Sequence, residues 1–286
     1  MRWQMGRRSD NIEDRRGIGA GGVAVGGGIG TLVLVLVALY FGVDPSVVLQ
    51  GGGPAVSTAP PAVERQATSP EEEQLKDFVA VVLADTEDTW RELFRRMNRE
   101  YREPRLVLFS DVVRSACGTA QSAAAGPFYC PVDQKVYLDL SFFRDLRERF
   151  RAPGEFAQAY VIAHEIGHHV QTLLGISEKV RSLQSQGGER EAKALSVRQE
   201  LQADCFAGVW ANNANRSRQI LEQGDIEKGL NAAAAIGDDR LQRQSQGYVV
   251  PDAFTHGSSA QRVRWFKRGL DGGDVRQCDS FNAREL

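Results

Sequence analysis

The chain has 286 residues, room for one large domain or two small ones, and 42% of them are hydrophobic, enough for a substantial core. Its 35 basic and 37 acidic side chains leave a net charge of −2. The arginines are scattered, without a basic stripe interleaved with aromatics, which argues against a nucleic-acid partner.

Residues 1–17 carry Arg2, Arg7, Arg8, Arg15 and Arg16 against Asp10, Glu13 and Asp14, and residues 18–43 then contain no charge. That run exceeds the roughly 20 residues a helix needs to cross the hydrocarbon layer. Arginine before it and Asp44 after it predict a single-pass transmembrane anchor over 18–43, with a cytoplasmic segment at 1–17 and everything downstream on the extracytoplasmic side. A cleaved signal peptide is the competing reading. The run is longer than a usual signal core, and no small-x-small cleavage site follows Tyr40-Phe41-Gly42-Val43. Gly22, Gly26 and Gly30 recur every fourth residue, a spacing that lets two such helices approach closely as a weak homodimer. Residues 44–68 read as a flexible linker, and from position 51 they are rich in glycine, proline, alanine, serine and threonine.

A folded domain is expected over 69–286. Ser69 as N-cap, Pro70 at the first helical position and Glu71 to Glu73 in the first turn open a helix. Leu75, Phe78, Val79, Val82, Thr86, Trp90, Leu93, Phe94 and Met97 follow at helical spacing and should face the core. Leu106 to Phe109 is a short apolar run that reads as strand. Phe128-Tyr129-Cys130 and residues 136–140 flank a Pro131-Val132-Asp133-Gln134 turn as a hairpin. A strand just upstream of a catalytic helix can offer its open edge to an extended peptide; the other reading is an ordinary covered edge. Helical patterns return at 189–213, at 225–236 with Gly237 as a stop, and at 258–268. The class is therefore α+β, mostly helical with a small sheet. Cys117, Cys130, Cys205 and Cys278 make an even count in a domain expected outside the cytoplasm. Of three connectivities, Cys117 with Cys130 and Cys205 with Cys278 is preferred, because the first pair brackets a short loop.

The chemistry concentrates at His164-Glu165-Ile166-Gly167-His168. On a helix this places two imidazoles one turn apart on one face with a carboxylate beside them. Phe156, Tyr160, Val161, Ile162, Ile166, Val170, Leu173 and Leu174 supply apolar faces around it. Pro153 and Gly154 precede the helix and Gly175 follows. A catalytic zinc takes three protein ligands and keeps a fourth position for water, whose proton Glu165 is placed to accept. His164 and His168 need a third ligand. Glu200 is the best candidate, with Asp204 one turn on to accept the outer N–H of a ligating histidine; the reverse assignment stays open. Two imidazoles and a carboxylate suit Zn2+ best among common metals. A metzincin continuation is excluded, since Gln171 and Leu174 stand where glycine and histidine are required. His169 points about 100° away around the helix and reads as structural or as a support behind the ligands, not as a ligand. His256 lies in a loop before Ser258, the N-cap of the last helix. A histidine there could donate to the oxyanion of a tetrahedral intermediate, although lone loop histidines are usually solvated.

Together these residues resemble the bacterial membrane-anchored family of neutral zinc metallopeptidases. The resemblance is carried by Met1-Arg2-Trp3-Gln4, Ser9-Asp10-Asn11, Gly126-Pro127-Phe128-Tyr129-Cys130-Pro131 and residues 164–169. Further on it is carried by Glu200-Leu201-Gln202-Ala203-Asp204-Cys205, Gly237-Asp238-Asp239, Phe254-Thr255-His256-Gly257 and Arg262-Val263-Arg264-Trp265-Phe266. It implies a zincin-like fold and zinc-dependent cleavage of a peptide or protein substrate. A wider similarity to gluzincins implies Glu200 as third ligand in a Glu-x-x-x-Asp pattern, and His256 as oxyanion donor ahead of Arg262. Gly257 departs from the proline common in that branch. Two other readings are a zinc-containing scaffold protein of the cell envelope that hydrolyses nothing, and a zinc amidase acting on non-peptide or cell-wall amides.

Overall fold

A computed structural model describes residues 1–17, 69–121 and 126–286. The anchor and linker expected over 18–68 lie outside the described residues, and no described helix is long and apolar enough to cross a membrane.

The first strand, β1 (Ile12–Asp14), precedes helix α1 (Pro70–Arg96), which opens with a capping box in which Ser69 and Glu72 bond reciprocally. Strands β2 (Arg105–Phe109), β3 (Val112–Ser115), β4 (Gly118–Gln121), β5 (Phe128–Cys130) and β6 (Lys135–Asp139) follow. The rest is helical: α2 (Ser141–Glu148), α3 (Glu155–Leu173), α4 (Ile176–Gln186), α5 (Glu189–Arg218), α6 (Asp225–Ala235), α7 (Asp238–Gln246) and α8 (Ser259–Gly272). The main sheet runs β1-β2-β6-β5, with β1, β2 and β6 parallel and β5 antiparallel to β6; β3 and β4 form a separate hairpin. Successive side chains of a strand face opposite ways. Leu106, Leu108, Val136 and Leu138 accordingly enter the main core, and Val107, Phe109 and Tyr137 a smaller cluster under the hairpin.

Helix α3 is the centre of the molecule. Phe156, Tyr160, Ile166 and Val170 are buried against α1, α5 and α8, which contribute Trp90, Phe206, Trp210, Trp265 and Phe266. Burying each large apolar side chain contributes about 1.5–3 kcal/mol, so the helix that carries the histidines is firmly anchored. Helices α5 and α8 cross at backbone contact: a Cβ on Gly269 would lie 1.9 Å from the Cys205 carbonyl oxygen. The Cys205–Cys278 disulfide ties the C-terminal segment to the same crossing, and Cys117–Cys130 ties the hairpin to β5.

Two features differ from the sequence reading. Helices α2, α4 and α7 were not expected; α4 has only Ile176, Val180 and Leu183 at helical spacing and buries only Val180, and α7, which buries only Asp238, has no apolar period to detect. More consequentially, the division of residues 1–17 from the domain at 69–286 is corrected, because Met1–Arg15 forms one compact unit with Thr68–Leu286. Ile12, Glu13 and Asp14 pair with Leu106, Val107 and Leu108. Trp3 packs edge-on to Phe78 at 5.4 Å and donates Nε1–H to Glu155 at 2.8 Å. The buried Glu87 carboxylate accepts from Ser9 Oγ (2.5 Å), Asn11 Nδ2 (2.9 Å) and Arg7 Nη2 (2.7 Å).

Candidate active site

The site forms where α3 and α5 cross. A Cβ on Gly167 would lie 2.9 Å from the Ala203 carbonyl oxygen, so the glycine inside the motif lets α5 approach close enough to bring Glu200 to the histidines. Ligand atoms of His164, His168 and Glu200 all lie within 4.8 Å of one another. His164 Nε2 is 3.1 Å from one Glu200 oxygen and His168 Nε2 3.3 Å from the other. Both imidazoles turn Nδ1 outward. That of His164 meets Asp204 Oδ1 at 2.8 Å and that of His168 meets Gln171 Oε1 at 2.9 Å. A carboxylate and a side-chain amide oxygen only accept, so they fix the N–H on Nδ1 and leave each Nε2 lone pair to the interior of the triangle. Two such nitrogens and a carboxylate on one open side are the donor set of a zinc site with room for a fourth ligand, and the residues fit the metal.

Asp204 is itself held. Arg262 approaches it in a fork, Nε to Oδ2 at 2.8 Å and Nη2 to Oδ1 at 2.9 Å, and Tyr160 Oη donates to Oδ1 at 2.5 Å. Asp204, Arg262 and Tyr160 are all buried, and burial alone would raise the carboxyl's pKa, but Arg262 and His164 outweigh it and hold the group ionised. With no metal in place, burial likewise opposes charge on His164, yet Asp204 and Glu200 raise its pKa to about 10, while His168 is raised against burial by Glu200; zinc would take the place of the proton on each Nε2. Glu200, against its own desolvation, is held well below the usual carboxylate range by His168 and His164. Glu165 is the exception. Its pKa is pushed up by burial, partly offset by the two histidines, and no hydrogen bond engages its side chain among the described residues.

A cavity of about 890 Å3 opens over these groups. One wall is β5 and the turn beside it (Phe128, Tyr129, Pro131) with Phe142 and Arg149 at α2; Leu241 and Gln244 of α7 line it as well. His164, Glu165, His168, Glu200, His256 and Arg262 all border this cavity. His256 is half exposed, with Nδ1 3.1 Å from Asp238 Oδ1. The other Asp238 oxygen accepts the backbone N–H of Thr255, His256 and Gly257 at 2.7, 2.7 and 3.0 Å, which fixes the loop. Gly257 has φ of +91°, a conformation closed to proline, so the departure from the gluzincin pattern follows from the path of the chain. His169 lies away from the ligand cluster, between Tyr129 Oη and the Arg102 carbonyl.

Sequence reasoning missed Gln171 and Gln202. Gln171 Nε2 donates to the Gln199 carbonyl (2.7 Å) and to Gln202 Oε1 (3.1 Å), and Gln202 Nε2 donates to the Cys278 carbonyl (2.9 Å). This chain orients His168 as Arg262 and Tyr160 orient His164 through Asp204. The available signal was position: Gln171 sits three residues after His168 and therefore on its face of the helix.

Similarity to known proteins covers nearly the whole molecule. The chain is 52% identical over 294 residues to "Uncharacterized protein YpfJ" of Escherichia coli K12, covering 98% of this chain and 99% of that one. It is 46% identical over 196 residues to "Uncharacterized protein Rv2575" of Mycobacterium tuberculosis H37Rv, covering 65% of each. No solved structure matches. The model of the family described as "Putative neutral zinc metallopeptidase" matches residues 1–281, a span that takes in the helix-borne histidines, the crossing helix with its two carboxylates, and the N-terminal strand. By that match, and with a donor set that fits the metal its name requires, the chain belongs to the neutral zinc metallopeptidase family.

Proposed function

We propose that this protein hydrolyses peptide bonds, with His164, His168 and Glu200 holding zinc and Glu165 as general base. The observation that carries the reading is that Glu165, buried and bordering the cleft beside the two ligand histidines, has side-chain oxygens that no hydrogen bond engages among the described residues. Glu200, Asp204 and Asp238 are kept ionised by partners, whereas burial raises the pKa of Glu165. A carboxylate in that state suits proton transfer near neutral pH. Zinc held there supplies Lewis acidity and lowers the pKa of water. Glu165 takes the proton of the attacking water and returns it to the leaving amine. His256 borders the cleft with Nε2 directed away from Asp238, and its raised pKa favours the protonated form that donates to a developing oxyanion. The substrate is a polypeptide in extended form, since β5 is the end strand of its sheet and Phe128 and Tyr129 line the cleft.

The domain works on the extracytoplasmic side of a membrane, held there by the apolar run at 18–43. Two disulfides support that compartment, because they persist where the surroundings are oxidising.

Glu165→Gln in the full chain tests the mechanism. The variant is expected to bind one zinc and to lose at least about a thousandfold in peptide hydrolysis, as measured by metal analysis and a peptide-library assay. Wild-type turnover by the variant would remove Glu165 as base. Zinc in both proteins with hydrolysis by neither would favour the scaffold reading, and cleavage of cell-wall amides alone the amidase reading.

A further inference from the structure

Strand β5 has only three residues and a single ladder partner, β6, among the described residues. A strand this short is weakly placed by its ladder alone. Three contacts outside the ladder hold it. Cys130 is bonded to Cys117, and the Phe128 ring stacks on Tyr137 at 4.8 Å with the planes 7° apart. The third reaches the catalytic helix: Tyr129 Oη lies 3.1 Å from His169 Nδ1.

The direction of that last bond is determined by what lies behind it. His169 Nε2 is 2.6 Å from the Arg102 carbonyl oxygen, which only accepts, so Nε2 carries the hydrogen. In the neutral ring Nδ1 is then an acceptor, and Tyr129 donates to it. His169 is fully buried, with ring edges against Tyr101 at 5.8 Å and Tyr129 at 5.5 Å, surroundings that disfavour a second proton. His169 also directly follows the metal-site residue His168. One peptide unit and one hydrogen bond therefore connect the ligand helix to the strand that lines the cleft.

We propose that His169 and Tyr129 are positioning residues that set the distance between a substrate strand paired to β5 and the metal ligands. This rests on the peptidase reading above. Neither residue takes part in the proton transfers. Their effect is registration: a backbone laid along β5 arrives with its scissile carbonyl at a fixed offset from His164 and His168, and displacements on the order of 1 Å cost about a hundredfold in rate. A purely structural role would instead lower stability and weaken every function of the site alike.

The test uses two probes on the zinc-loaded full chain: acetohydroxamate, which reaches only the metal, and a four-residue peptide hydroxamate, which also lies along β5. Tyr129→Phe keeps the ring and removes the hydroxyl. It is expected to keep zinc content and acetohydroxamate affinity while losing about tenfold in affinity for the peptide hydroxamate, equivalent to about 1.4 kcal/mol. His169→Phe, which also removes the bond to the Arg102 carbonyl, should lose at least as much, and the double variant no more than His169→Phe alone, because the Tyr129–His169 bond is lost in both. His169→Asn, which retains an acceptor near the Nδ1 position, should recover part of the loss. Tyr129→Phe binding both probes as wild type does, or losing both equally, would overturn the proposal while leaving the peptidase reading intact. Wild type that binds acetohydroxamate but not the peptide hydroxamate would overturn the peptidase reading, and this inference with it.

Discussion

At the scale of single residues, the metal site depends on groups that never touch the metal. Asp204 faces His164 Nδ1 and receives the Arg262 fork, so Asp204→Asn removes the acceptor that fixes the tautomer and leaves the guanidinium buried without its charge partner. Loss of such a partner typically weakens metal binding by 10–100-fold, and a competition titration with a zinc chelator should read a drop of about that size. His169 gives a pH dependence. Burial lowers its pKa from 6.5 to about 4, so between those values the unfolded chain binds a proton that the folded chain refuses. Stability from this group is complete above pH 6.5 and is lost as pH falls towards 4. Urea unfolding should place this loss at about 2 kcal/mol between pH 7 and pH 5, and His169→Phe should flatten that part of the profile. His164, Glu165 and His168 were legible as a group because a five-residue helical spacing encodes a face. The residues orienting them were less so: Tyr160 reads as core, and Gln171 and Gln202 carry no charge to draw attention.

At the scale of elements, legibility followed apolar periodicity. Helices α1, α3, α5 and α8 each bury a stripe or more, and their caps, Ser69 and Ser258 among them, stand in the sequence where the helices begin. Gly237, expected to stop a helix, follows the last residue of α6 and its C-cap Ile236 as expected, and it also N-caps α7, whose exposed side chains left no period to read. Strand β1 was hidden for a related reason: Ile12-Glu13-Asp14 is short and polar, because it lies at the sheet edge with intermediate exposure, and its partner β2 is distant in sequence. The element is nonetheless structural. A chain beginning at Ser69 would leave Glu87 with Arg91 but without Ser9, Asn11 and Arg7, and Phe78 without Trp3. Removing the partner of a buried charge costs about 3–5 kcal/mol. Residues 69–286 alone should therefore melt well below the full chain in a thermal scan, and adding residues 1–17 in trans should raise the melting point.

At the scale of the whole molecule, the parallel pairing of β1 with β2 bears on how the protein sits at a bilayer. Backbone hydrogen bonds of a ladder do not reach across some 30 Å of hydrocarbon, so wherever β1 is paired with β2 the residues before the apolar run and the domain after it must lie in one compartment. The arginine-rich start suggested a cytoplasmic N-terminus with the domain outside. The paired strand and that arrangement place opposite demands on residues 1–15, and in the folded unit the arginines meet carboxylates of α1: Arg7 at Glu87 and Asp88, Arg8 at Asp77. Positive charge of the kind that orients a membrane segment is here paired within the fold. Met5 is 99% exposed and Tyr248 63% exposed, which makes them reporters for the two stretches. In intact cells whose outer barrier has been opened, Met5→Cys and Tyr248→Cys should react alike with a membrane-impermeant maleimide. Labelling at Tyr248→Cys alone would mean that the N-terminal strand is pulled out of the sheet when the protein is anchored. The folded domain would then depend on which side of the membrane its first fifteen residues were left.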